Sequence, residues 1–192
     1  MKELPKRKPN RLQNYDYNQN GAYFITVCTK NRHEILCTIT VGDAALGVPF
    51  VKLSEYGEIV RMFIENIPKT NSSVFVPKYV IMPNHIHLIL IIESKNIKTP
   101  KKNIHGTPDT IHGTSDTIHG TPRAASPTKA LIPKIINVLK GLSSKKIGFS
   151  LWQRSYHDHV IRNEADYYRI EEYIENNPTY WDEDCFYRDI HL

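Results

Sequence analysis

The chain has 192 residues, 40% of them hydrophobic and 23% charged, with 25 Lys and Arg against 20 Asp and Glu for a formal charge of +5. This is the composition of one globular domain and excludes wholesale disorder. No apolar run approaches the roughly 18–20 residues of a membrane span, and the basic start MKELPKRKPNR holds no signal-peptide core, so a cytoplasmic protein without a membrane partner is expected. Three cysteines, Cys28, Cys37 and Cys185, are too few and too scattered for a disulfide framework or a zinc knuckle.

Residues 1–13 form a basic arm. Residues 23–29 (YFITVCT) are β-branched and aromatic and open the first strand. Residues 33–53 read as a peripheral hairpin-like excursion. Ser54 caps a helix in which Ile59, Met62, Phe63 and Ile67 recur at helical spacing until Pro68 stops it. Residues 74–82 and 86–92 form two apolar strands around the turn at Pro83 and Asn84.

Between about 94 and 127 the sequence turns to Lys, Thr, Gly, Pro and Ser, with IHGTPDT, IHGTSDT and IHGTP in tandem. No core can come from such a tract, which reads as an insertion into the domain. Ala130, Leu131, Ile135, Ile136, Val138, Leu139 and Leu142 then give a helix with one apolar face, Pro133 opening or bending it. Residues 152–161 read as a strand, and Asn163 caps a last helix that runs to Asn177 and is closed by Pro178. The order is the α+β, ferredoxin-like βαββαβ plan: an antiparallel sheet with helices on one face, the other face free for a ligand, and a C-terminal helix appended.

No acidic residue occurs between 117 and 157, where Arg123, Lys129, Lys134, Lys140, Lys145, Lys146 and Arg154 are basic. A polyanion is the natural partner of such a surface, a solvated helix face the bland alternative. His85 and His87 lie two apart on a strand, so both imidazoles project from one face and can converge on one metal ion or simply bond each other. Tyr173 and Asn177 are one helical turn apart, close enough to share a site, although packing and a C-terminal cap would explain them too.

Three stretches in order, residues 82–88 (MPNHIHL), 151–159 (LWQRSYHDH) and 173–178 (YIENNP), resemble the single-tyrosine HUH transposases, in the branch associated with REP elements. The resemblance covers residues 14–181 apart from the insertion, leaving 182–192 as a tail. It implies a single-stranded DNA endonuclease and strand transferase. His85, His87 and Asn177 would hold Mg²⁺ or Mn²⁺, and Tyr173 would be the nucleophile that forms a 5′-phosphotyrosine. It further implies single-stranded or hairpin DNA as partner, with either one copy or a homodimer at work. Lys140, Lys145, Lys146 and Arg154 would contact phosphates, Tyr156 would stack on a base, and His157 and His159 would support the DNA surface. The competing readings are a non-catalytic module binding single-stranded nucleic acid and a metal-dependent hydrolase with no covalent intermediate.

Overall fold

The computed structural model describes residues 15–40, 49–93 and 130–187; the basic arm and the repeat insertion lie outside them. Strand β1 (Gly21–Cys28) alternates Tyr23, Ile25 and Val27 with Ala22, Phe24 and Thr26, so each set faces one side of the sheet. The ribbon β2 (Cys37–Thr40) and β3 (Phe50–Leu53) pairs by itself, as the hairpin-like excursion predicts. Helices α1 (Glu55–Glu65) and α2 (Ile67–Thr70) follow, then β4 (Val74–Ile81), β5 (His85–Ile92), α3 (Leu131–Ile147), β6 (His157–Ile161) and α4 (Glu164–Asn176). The main sheet runs β4-β5-β1-β6 and every pair is antiparallel, the ferredoxin-like arrangement expected.

Strand β5 is apolar on both sides because both sides are covered. Ile86, Leu88, Leu90 and Ile92 join Tyr23, Ile25 and Val27 in the larger core, against Val60 and Ile64 of α1 and Ile132, Ile136 and Leu139 of α3. Ile89 packs on the opposite side with Ile161 and with Ile170 and Ile174 of α4. The sequence reading expects the second face to be free for a ligand; it is not, because α4 folds back across it.

Several local details follow from single residues. β4 shifts register between Phe75 and Lys78, where Pro77 has no N–H to give the ladder. Pro68 does not stop a helix but opens α2, the break falling at Asn66. Pro133 sits in the first turn of α3, whose first N–H, on Leu131, is capped by Asn18 Oδ1 at 2.9 Å. Asn163 caps α4 by accepting from the Asp166 N–H. The strand expected over 152–161 is only five residues long. Lys140 Nζ donates to the carbonyls of Gln153, Arg154 and Ser155 at 2.6, 3.0 and 3.3 Å, taking acceptors that a longer ladder would have used.

At the α1 cap, Ser54 N–H donates to the Leu36 carbonyl and Ser54 Oγ accepts from Gly57 N–H. This draws the chain before β2 so close that a Cβ on Gly57 would stand 2.1 Å from Leu36 O. Gly57→Ala should therefore cost about 1–3 kcal/mol of stability. The check is urea unfolding: the midpoint falls with an unchanged slope, whereas an unmoved midpoint would mean that the Leu36 carbonyl yields freely.

Candidate active site

The turn between β4 and β5 is pinned by its neighbours. Thr29 N–H donates to Asn84 O at 2.9 Å and Leu36 N–H to Pro83 O at 3.0 Å. This sets His85 opposite Cys28 and His87 opposite Thr26 on β1, both imidazoles on the α4 side. Asn84 Nδ2 donates to Phe186 O at 2.9 Å, which turns Asn84 Oδ1 toward His85 Nδ1, also 2.9 Å away. An amide oxygen only accepts, so the His85 proton sits on Nδ1 and Nε2 carries the lone pair. His87 Nδ1 is 2.8 Å from Thr26 Oγ1, and the two Nε2 atoms stand 2.9 Å apart.

Both rings are almost wholly buried. Burial, with Arg32 nearby, drives the His85 pKa down to about 3. Burial and the His85 charge hold His87 well below the usual histidine range. The pair is thus uncharged at neutral pH, the form in which imidazole binds a metal.

Tyr173 and Asn177 reach this pair from the end of α4. Tyr173 OH lies 3.3 Å from His87 Nε2 and 3.3 Å from Asp184 Oδ2, and its ring is 40% exposed, so a substrate can reach it. Asn177 Nδ2 donates to Asp184 Oδ2 at 2.7 Å, while Asn177 Oδ1 is buried and makes no hydrogen bond. Burial raises the Tyr173 pKa above the usual phenol value, and the Asp184 carboxylate raises it further. The phenol keeps its proton unless positive charge comes beside it.

These donors fit a divalent cation. His85, His87 and Asp184 offer ligand atoms all within 4.8 Å of one another. The two Nε2 atoms stand 2.9 Å apart, near enough to meet at one ion and also within hydrogen-bonding distance of each other. The unpartnered Asn177 oxygen is the stronger sign, because a buried polar atom without a partner is costly. A cavity of about 510 Å³ lined by Arg169, Tyr173, Asn177 and Asp184 opens beside the cluster.

Asp184 and Phe186 are what the sequence reading misses by assigning 182–192 to a tail. Phe186 lies against His85 with ring centroids 4.5 Å apart, and Arg32 holds the segment from outside. The Arg32 guanidinium stands 4.8 Å over the Phe186 ring and donates to Cys185 O at 3.1 Å. The available signal was Phe186 and Tyr187 themselves, aromatic residues that a solvated tail has no reason to carry.

The residues expected to touch DNA divide. Lys145, Lys146 and Arg154 are exposed and free to meet phosphates. Lys140 is half-buried, its pKa lowered by burial and its ammonium spent on three carbonyls, so it braces the loop before β6 and does not face a phosphate. Tyr156 is 5% exposed within the main core and offers no ring face for stacking. His157 and His159 sit on β6, which β1 separates from β5, and do not join the histidine pair. His159 Nε2 instead bonds Asp166 Oδ2 at 2.7 Å.

A ferredoxin-like sheet carrying a histidine pair on a central strand, with a tyrosine brought to it by a C-terminal helix, defines the structural class. A solved REP-associated tyrosine transposase bound to a REP hairpin has the same fold, with TM-score 0.53 and 17% identity over 93% of this chain and 73% of that one. No protein-family model matches the sequence. An uncharacterized protein of Haemophilus influenzae is 35% identical over 189 residues, 95% of this chain and 94% of the relative, and the chain belongs to the same family.

The donor set makes a direct prediction for metal binding. Calorimetric titration of the purified protein with Mn²⁺ should show one site. Asp184→Asn should weaken it about tenfold or more and His87→Ala should abolish it. Equal affinity in all three proteins would remove the site.

Proposed function

We propose that the protein is a single-stranded DNA endonuclease and strand transferase that works through a covalent bond to Tyr173. The observation that carries this reading is the hydroxyl of the partly exposed Tyr173, within 3.3 Å of both His87 Nε2 and Asp184 Oδ2. DNA as partner is carried over from the REP hairpin bound by the transposase of like fold and agrees with the basic Lys145, Lys146 and Arg154.

In this proposal His85, His87, Asn177 and Asp184 would hold Mg²⁺ or Mn²⁺, which would supply positive charge to the non-bridging oxygens of a phosphodiester and to the developing phenolate. Tyr173 Oη attacks phosphorus in line. The bond from phosphorus to the 3′ oxygen breaks, the phenolic proton is released, and the departing 3′ oxygen takes up a proton. Asp184 and His87 are the protein groups beside that phenolic proton. The 5′-phosphotyrosine keeps the energy of the original bond, so a 3′-hydroxyl can reverse the step on the same or another strand without a nucleotide cofactor.

A non-catalytic module that stacks bases on the open face of its sheet finds no support, since α4 and Ile89, Ile170 and Ile174 occupy that face. A hydrolase that activates water on the same four donors differs in one observable, the covalent adduct. With Mn²⁺ and labelled single-stranded or hairpin DNA, the wild type should give a protein–DNA adduct whose peptide contains Tyr173. Tyr173→Phe should keep DNA affinity within about twofold, since it removes one hydroxyl, and form no adduct. Cleavage without adduct would select the hydrolase. An adduct surviving Tyr173→Phe would displace the nucleophile to another tyrosine.

A further inference from the structure

The cavity beside Tyr173 is lined by Glu172, Glu183 and Asp184 as well as Arg169. Such a wall repels a phosphate backbone except at the phosphate that a cation covers, so a strand cut there has to be held elsewhere. A second cavity of about 520 Å³, within the size range of small-ligand sites, has the opposite character: none of the residues lining it is acidic. Lys30 and His33 are exposed at it, Ile35 and Leu151 give it an apolar floor, and Tyr56 and Phe149 supply its aromatic surface.

The aromatic pair is built for a planar guest. Gly148, with φ +95°, ends α3 and throws Phe149 outward, leaving it 45% exposed. Its ring meets Tyr56 edge-on, centroids 5.5 Å apart and planes at 84°, so the two rings form a corner with one face open for stacking. Lys145 and Lys146 stand in the last turn of α3, just before Phe149.

The turn Lys30–Arg32 runs from the second cavity to the segment that borders the first. Asn31 and Arg32 both have positive φ, +56° and +55°, a backbone state that non-glycine residues seldom adopt twice in succession. Lys30 and Asn31 thereby line the aromatic cavity, while Arg32 turns to Cys185 O and the Phe186 ring at the histidine site.

We propose that the Tyr56–Phe149 cavity is a nucleotide subsite, which stacks one unpaired base of the bound DNA on Phe149 and pairs its phosphate with Lys30. Aromatic surface plus flanking cations is the chemistry by which single strands are held, and sequence tolerance follows because every base has a flat face. The inference rests on DNA being the substrate of the Tyr173 site, and it adds where that strand is gripped.

The test uses the full chain and a mixed-sequence single strand of about 20 nucleotides carrying 5-iododeoxyuridine, irradiated and mapped by peptide sequencing, with affinities from fluorescence anisotropy. Crosslinks should fall on Phe149 or Tyr56. Phe149→Ala, at a half-exposed position that leaves the unfolding midpoint unmoved, should weaken binding about fivefold or more, and Phe149→Tyr should restore it. Lys30→Ala should lower the slope of log affinity on log salt by about one. An adduct at Tyr173 together with unchanged affinity in Phe149→Ala and crosslinks elsewhere overturns the subsite alone. Crosslinks at Phe149 with no adduct at Tyr173 keep the subsite and overturn the covalent Tyr173 reading. No binding of the strand by the wild type overturns both.

Discussion

The constraint on which the rest of the structure depends is a pair of uncharged imidazoles buried on a central strand with their Nε2 atoms 2.9 Å apart. A neutral His87 that carries its proton on Nε2, with Thr26 Oγ1–H donating to Nδ1, bonds His85 across that gap, and a cation there would send that proton to Nδ1. Burial disfavours an imidazolium in either ring. Keeping water off both rings needs the second face of the sheet covered, which α4 achieves by packing Ile170 and Ile174 beside Ile89 while Phe186 closes over His85. The helix that carries the tyrosine is therefore also the lid that makes the histidines neutral.

Charge at this centre does not balance by itself. Two neutral rings, one amide oxygen and one carboxylate leave a single negative charge, and that charge raises the Tyr173 pKa beyond what burial does alone. A divalent cation would reverse the sign. Net positive charge would attract a phosphodiester and favour phenolate in the same place, and it would give the buried Asn177 oxygen a partner.

What could be read from the sequence was what depends on local period. The alternation of His85, Ile86 and His87 places both rings on one face, and the four-residue step from Tyr173 to Asn177 places both on one side of α4; both hold in the structure. Asn163 and Ser54 cap their helices as their chemistry dictates. What could not be read depends on where distant segments meet. Lys140 looks like any cation on a helix face until the loop 13 residues onward folds under it. Tyr156 can stand outward or inward on a strand that turns out not to extend that far, and it goes inward. Asp184 becomes part of the site only because Asn84 and Arg32, more than a hundred residues earlier, capture the carbonyls of Phe186 and Cys185.

The fate of Lys140 also shows how positive charge is divided on this molecule. A lysine whose three protons are taken by backbone carbonyls gives up most of its reach toward solvent, yet it fixes the backbone from which Arg154 projects. Arg154 then starts from a braced carbonyl, and less entropy is lost when its guanidinium meets a phosphate than from a free loop. One cation is withdrawn so that another is held in position. The acidic residues follow the converse rule, since Glu172, Glu183 and Asp184 gather at the cavity beside Tyr173 and leave the cavity of Tyr56 and Phe149 without a carboxylate. A polyanion meeting such a surface is repelled at the tyrosine unless a metal is present, and attracted a short way along the Lys30–Arg32 turn whether or not it is. In the proposed function, binding and cutting would thereby depend on different charges.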